Sequence, residues 1–348
     1  MNRLKLNSTY SIFYTYRNIQ IYWLYSTHIR TMSLEPREKY NEYFSKSRLK
    51  TWVTCPRQFY YKYVEKIDTP TTDSMIRGTD IHELIEAYYE NAEIYSEEHD
   101  EPPTTLFSLL NGDNHENWRD YLDPYLAHFL AFERRRWNNA KEMSDWVPVA
   151  VEDEMWREVY DDVPVLMGYA DVMLPAASFS DKDVPQNEGC VLVDFKTGVP
   201  KKNYMSHEKG GVQLDLAYYA LLFELKYNIV AVGAYYPKTD TLVTSGLKQE
   251  REQFIEDTSR SIAEADEDNI DDYPIEEQPL CAWDEGEGNR CAFYDQCDST
   301  WAVPLDNKEK TVEYIRKGLS NEEIADKLGT TKQAVGYWTR KKKWHRYK

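Results

Sequence analysis

The sequence predicts a mixed α/β fold, a central mixed β-sheet flanked by helices, with a small all-α unit at the C-terminal end. Three observations carry that expectation. Short β-branched runs recur at 147–174, Val191–Phe195 and Ile229–Tyr236, the signature of buried strands. Between them, apolar residues return at helical spacing. The last 43 residues switch to short helical patterns separated by glycine turns. At 348 residues the chain can hold one large domain or two smaller ones.

The centre of the pattern is Val191-Leu-Val-Asp-Phe-Lys-Thr-Gly198, a strand leading into a turn. Asp194 and Lys196 are two residues apart, so a strand places both on one face and sends Phe195 into the core. A carboxylate beside an ammonium can serve a metal-bound phosphate and an attacking water. It can equally form an ion pair on an exposed strand. The surrounding chain favours the first reading.

Charge is unevenly spread. Of the net −18, residues 1–31 carry +4 and residues 306–348 carry +6, leaving −28 on 32–305. A basic tail on an acidic body points to a polyanionic partner for the tail. No apolar run approaches the ~20 residues needed to span a membrane. Three of the five cysteines fall within Cys281–Cys297, which favours a metal site in a reducing, cytoplasmic compartment over a disulfide framework. Residues 1–31 are tyrosine-rich and free of acids. They read as a flexible extension or as the product of an upstream start codon, with Met32 the working start.

In chain order, Ser47–Tyr63 reads as two short helical pieces, with Ser47 as N-cap, Cys55 at the break and Pro56 in the next first turn. Gly78–Glu90 reads as a helix start with an Asp80/Glu83 capping box and a stripe of Ile81, Leu84, Ile85, Tyr88 and Tyr89. His82 lies at the margin of that stripe, where a histidine serves as a packing residue, a cap or a ligand. Residues 92–112 read as an acidic loop. Helical spacing returns over about 113–143, around Trp118, Tyr121, Leu126 and Phe129, ending at Arg134-Arg-Arg-Trp137, a basic end that could touch a nucleic-acid backbone. Strands are expected at Val147–Val151, Met155–Val159 and Val165–Leu174, with Asp161-Asp162 in the turn before the third. Asp171 lies inside that third strand, and a buried carboxylate needs a partner or a metal; Glu152 and Glu154 sit at the end of the strand before it. A helix from Gly211 and the strand Ile229–Tyr236 complete the body.

Cys281, Cys291 and Cys297, with one distant thiol, could complete a zinc site or an iron–sulfur cluster, or remain free thiols. Cys190 reads as a small buried core residue. The tail reads as helices over Lys308–Lys317, Ser320–Lys327 (opened by a Ser320/Glu323 capping box) and Thr331–Arg340, with Leu328-Gly-Thr330 as the turn. Ile315, Leu319, Ile324, Ala325, Leu328, Val335 and Trp338 supply its core. This describes a helix-turn-helix, or else a helical protein-interaction tail. In the first case Thr331, Lys332, Gln333 and Arg340 face a groove, while Lys341, Lys342 and Lys343 meet phosphates.

Together, Gly168-x-x-Asp171 and Asp194-Phe-Lys196 resemble the core of the PD-(D/E)XK nucleases in their RecB/AddB-like exonuclease branch. His82 in Gly-x-x-x-His and Gln213 after the Asp-x-Lys strand resemble further marks of that branch. Cys55-Pro before a Phe/Tyr-rich helix, with three late cysteines, is similar to its iron–sulfur members, among them CRISPR-associated RecB-like exonucleases and viral relatives. The resemblance covers about residues 45–300. It implies a restriction-endonuclease-like core over 32–303, while the helix-turn-helix domain over 304–348 rests on the tail's own pattern. His82, Asp171, Asp194 and the Phe195 carbonyl would hold Mg²⁺ or Mn²⁺, which lowers the pKa of a bound water and offsets charge on the scissile phosphate. Lys196 would orient that water, with Gln213 beside it. Cys55, Cys281, Cys291 and Cys297 would hold a [4Fe–4S] cluster, with zinc the alternative.

The implied activity is a metal-dependent DNA exonuclease in end processing, recombination or repair. It would take linear ends, single-stranded at the active site and duplex at the tail, with recombination, replication or CRISPR partner proteins, in the cytoplasm or a viral host's cytoplasm. A DNA-bound regulator with a non-cutting nuclease fold and a CRISPR spacer-acquisition nuclease are the competing readings. Three departures from the family pattern stand out. Nine residues separate Cys281 from Cys291, Tyr218 lies one position late relative to Gln213, and the tail is an addition to the usual domain.

Overall fold

Six strands form one mixed sheet, and its longest member, β3 (Val165–Pro175), organises the others. The structure is a computed structural model that describes residues 43–103, 123–180, 184–185, 189–200, 208, 210–246, 249–282 and 291–347. The readings made for residues 1–31, and for Trp118 and Tyr121, lie outside these. β2 (Ala150–Arg157) runs antiparallel along one edge of β3. The other edge takes β1 (Tyr43–Ser45), parallel, at its start and β4 (Cys190–Phe195), antiparallel, at its end. β5 (Ile229–Tyr236) pairs parallel with β4, and β6 (Thr241–Ser245) closes the sheet antiparallel to β5. A parallel pair needs a crossover. Here that crossover carries the helix Val212–Phe223.

The helices are α1 (Lys46–Thr54), α2 (Pro56–Phe59), α3 (Asp73–His99), α4 (Asp123–Asn139), α5 (Val212–Phe223), α6 (Gln249–Glu264) and, in the tail, α7 (Val303–Asp306), α8 (Lys308–Arg316), α9 (Asn321–Leu328) and α10 (Lys332–Lys341). They cover both faces of the sheet. On one, Cys190 and Leu192 of β4 join α1 and α5 in a core with Leu49, Tyr218 and Leu222. On the other, Val191, Val193 and Phe195 pack on α3 and α4 through Tyr88, Phe129 and Phe132. Burying each such large apolar side chain contributes about 1.5–3 kcal/mol. The alternation along β4 puts Asp194 on the α1/α5 face.

Several expectations are corrected. Ser45, extended at the end of β1, caps α1 by accepting from the Arg48 N–H, so the cap is not Ser47. α3 starts at Asp73 under a Thr72 cap, which places Asp80 and Glu83 in the helix interior. It also runs through 92–99, because Ala92 and Ser96 extend the buried stripe one turn at a time while the acids face outward. The two strands expected between 147 and 159 are a single strand whose acids lie within it. The short edge strands β1 and β6 and the helix α6 had no clear periodic signal. The basic end of α4 is engaged internally. Arg136 is buried against Glu133, Ser178 and the Trp146 carbonyl, Arg135 pairs with Asp240, and Arg134 lies 3.5 Å from Glu101.

The tail helices follow the sequence closely, each boundary falling within about one residue of expectation. The Ser320/Glu323 capping box forms in full, and Gly329 supplies the left-handed turn at φ 68°. Their core is shared with Cys281, Ala282, Trp301 and Ala302. The Trp338 indole N–H donates to the Trp301 carbonyl at 2.7 Å, and the Thr330 hydroxyl to the Thr300 carbonyl at 2.7 Å.

Gly168 is where α5 comes closest to β3. A Cβ there would stand 3.1 Å from the Tyr219 ring and 3.2 Å from Leu222. Gly168→Val is therefore expected to destabilise the protein by about 1–3 kcal/mol through overpacking. Urea denaturation checks this, and an unchanged midpoint would refute the packing role.

Candidate functional site

The ends of β3 and β4 bring acids together at one edge of the core. Asp194 is 1 % exposed, an expensive place for a carboxylate. Two ammoniums answer it. Lys196 Nζ lies 2.6 Å from Oδ2 and Lys46 Nζ lies 3.4 Å from Oδ1. Burial alone would raise the Asp194 carboxyl, but Lys196 and Lys46 outweigh it and hold it at about 2. The Lys196 ammonium thus lies directly against Oδ2. Lys196 also reaches Asp215 of α5 at 2.8 Å, and Lys50 meets the same carboxylate at 3.1 Å. Burial pushes the Lys196 ammonium down, Asp194 and Asp215 pull it up, and the balance lies above the ordinary value. Lys196 is therefore a fixed cation and not a proton acceptor.

Asp171 stands one strand over and accepts the Phe195 backbone N–H at 2.7 Å. Its carboxyl is raised, first by burial and then by repulsion from Asp194. His82, from α3, spans the gap. Its Nε2 is 3.1 Å from the Phe195 carbonyl oxygen and its Nδ1 is 3.6 Å from Asp171 Oδ2. The first distance suits a hydrogen bond and also matches the ~3 Å between neighbouring ligands of an octahedral Mg²⁺. If Nε2 donates to the carbonyl, the bare Nδ1 faces a carboxylate, two acceptors that need a proton or a cation between them.

Glu152 joins this group. Ligand atoms of His82, Glu152 and Asp171 lie within 4.8 Å of one another, and among the described residues no other three His, Cys, Asp or Glu do so. Between the pairs Val151–Val172 and Asp153–Ala170, the register sets Glu152 opposite Asp171. Facing acids repel. The left-handed φ of 42° at Glu152 accompanies this arrangement. Burial, then Asp171, push its carboxyl up to about 7. Hard oxygen donors with one imidazole suit Mg²⁺ or Mn²⁺.

A family model described as the PD-(D/E)XK nuclease superfamily matches residues 43–298. The chain belongs to that superfamily. No curated protein matches the sequence. The sheet and its helices form the restriction-endonuclease-like core that the superfamily shares.

The structure thus places His82, Asp171, Asp194, the Phe195 carbonyl and Lys196 in one site. Gln213 lies half-buried in the first turn of α5, ahead of Asp215 and outside the bonded group. Tyr218 is structural, its hydroxyl donating to the Phe44 and Met167 carbonyls. Sequence reasoning noted Glu152 as an acid of the strand before Asp171 without placing it in the site, and missed Asp215, Lys46 and Lys50. Asp215 was findable, since an acid inside Val212–Phe223 stands among apolar residues as Asp171 does in its strand. Glu152 required the register across the β2–β3 turn.

Cys55, Cys281, Cys291 and Cys297 line one cavity of about 420 Å³, apart from the acidic group. Burial raises the thiols of Cys281, Cys291 and Cys297, that of Cys291 to about 11. In the tail, Thr331 caps α10 by accepting the Ala334 N–H, Lys332 pairs with Glu322 at 3.1 Å, and Gln333, Arg340, Lys341 and Lys343 are exposed, with Lys342 half-buried beside Trp338. No described helix is long and apolar enough to cross a membrane.

Because the fold raises the Glu152 carboxyl from 4.5 to about 7, the folded state holds that proton more tightly than the unfolded chain. Rising pH therefore removes stability between these values, and the loss is complete above 7. Glu152→Gln is expected to raise the Tm of the metal-free protein by a few degrees at pH 8 and to leave it unchanged at pH 4. Calorimetry at both pH values checks this, and an equal or lower Tm at pH 8 would contradict the burial penalty.

Proposed function

We propose that the protein is a metal-dependent DNA exonuclease acting in DNA end processing, recombination or repair, in a reducing cytoplasm. The observation that carries the reading is the convergence of Asp171, Asp194, the Phe195 carbonyl and His82 beside a permanently charged Lys196. His82, Glu152, Asp171, Asp194 and the Phe195 carbonyl would hold Mg²⁺ or Mn²⁺. When bound, such a cation supplies Lewis-acid stabilisation of phosphoryl oxygen and a more acidic water. The chain's own part is positional and electrostatic. Lys196, clamped between Asp194 and Asp215, presents its ammonium where negative charge develops on the phosphate. Asp215 keeps that ammonium from swinging away. His82 fixes the Phe195 carbonyl, and Asp171 fixes the adjoining amide.

The four cysteines are read as ligands of a [4Fe–4S] cluster. Such a cluster would tie α1–α2 to the segment before the tail, and zinc is the alternative. The tail is read as a helix-turn-helix for duplex DNA, on the strength of its glycine turn and the exposed Gln333 and Arg340 of α10.

The test is cleavage of end-labelled linear and circular DNA, single- and double-stranded, with Mg²⁺ or Mn²⁺, using anaerobically purified protein. Linear DNA is expected to disappear from its ends, and Asp194→Ala and Lys196→Ala each to reduce the rate by about a hundredfold or more. Cutting of circles would make the protein an endonuclease. Folded protein that shifts DNA without cutting it would favour a DNA-bound regulator. The same preparation is expected to carry about four irons per chain, falling in Cys291→Ser. Stoichiometric zinc in place of iron would overturn the cluster.

A further inference from the structure

We propose that Lys46 guards Asp194 in the metal-free protein and becomes a ligand of the substrate phosphate once a divalent cation is bound. This rests on the nuclease reading of the site. The two ammoniums on Asp194 are held unequally. Lys196 lies 2.6 Å from Asp194 and 2.8 Å from Asp215. Among the described residues, Lys46 forms an ion pair only with Asp194, at the longer distance of 3.4 Å. It is therefore the one that can leave. It enters from another direction, as the first residue of α1, with its Nζ 4.6 Å from the centre of the Tyr219 ring. Its side chain is as exposed as that of Lys196, 21 % in each case, so the two lysines differ in their number of carboxylate partners and in distance, not in burial.

Charge gives the reason for the exchange. Glu152, Asp171, Asp194 and Asp215, with Glu86 beside Glu152, outnumber Lys46, Lys50 and Lys196. A divalent cation offsets that excess of negative charge. A cation on Asp194 also repels Lys46, whose flexible four-carbon stem lets the head move while the Tyr219 face still offers a cation–π contact. The nearest new anion is then a non-bridging phosphate oxygen. Lys50 does not share this role, because its Asp215 is also the second anchor of Lys196.

A residue that competes with the metal and also binds the substrate has two opposite effects when neutralised. Mn²⁺ binding to DNA-free protein, followed by the electron paramagnetic resonance of free Mn²⁺, is expected to tighten about threefold to tenfold in Lys46→Met. Cleavage of linear DNA at saturating Mn²⁺ is expected to fall about tenfold in kcat/KM, mainly through KM. Lys46→Gln, which keeps a polar head, should behave in the same way and covers the case in which the methionine variant does not fold. Lys46→Arg should return both values toward wild type. Equal or weaker Mn²⁺ binding by the neutral variants overturns the guarding role, and unchanged cleavage at saturating Mn²⁺ overturns the phosphate role. Wild-type protein that binds Mn²⁺ but leaves DNA intact overturns the nuclease reading itself and takes the phosphate role with it. The Mn²⁺ comparison still decides whether Lys46 guards Asp194.

Discussion

Asp194 is a carboxylate buried to 1 % exposure at the end of a strand whose other side chains are all in the core. Such a charge persists only if opposite charges are brought to it, since removing one partner of a buried pair costs about 3–5 kcal/mol. The partners come from different parts of the chain, Lys196 from the next turn and Lys46 from α1. Lys196 in turn requires Asp215, which requires Lys50. The resulting chain of alternating charges joins β4, α1 and α5. It fixes how the helices on that face meet the sheet. Gly168 serves the same docking from below, by letting α5 approach β3.

The opposite arrangement holds at β2 and β3, where Glu152 and Asp171 stand across from each other without a lysine between them. One side of the site is thus neutralised by ammoniums and the other is left short of positive charge, with His82 bridging it to the Phe195 carbonyl. A site divided in this way is built for one added cation. The thiol cavity is a separate construction. It gathers one cysteine from the α1–α2 junction and three from the segment before the tail, and that segment shares its core with the tail helices.

Period and capping chemistry account for what the sequence made legible. Asp194 and Lys196 follow from a strand period of two, Asp171 from an acid in an apolar run, and the tail boundaries from Ser320, Glu323 and Gly329, whose backbone preferences are local. Glu152 was legible as an acid near the third strand, but its pairing with Asp171 lies in cross-strand register, which the chain alone does not display. Lys46 and Lys50 sit on a helix whose sequence neighbours show none of their partners, which are 148 and 165 residues away. The start of α3 was misplaced because Asp80 and Glu83 mimic a capping box within a helix already capped by Thr72. Tertiary pairing, where it outweighs local pattern, is what the chain alone does not display.

If the side of this site left short of positive charge takes a divalent cation, anomalous diffraction from Mn²⁺-soaked crystals should show a single strong peak bounded by His82, Glu152, Asp171, Asp194 and the Phe195 carbonyl, lost in Asp171→Ala. Manganese found only on exposed surface acids, with the His82–Asp171 gap unchanged, would contradict it.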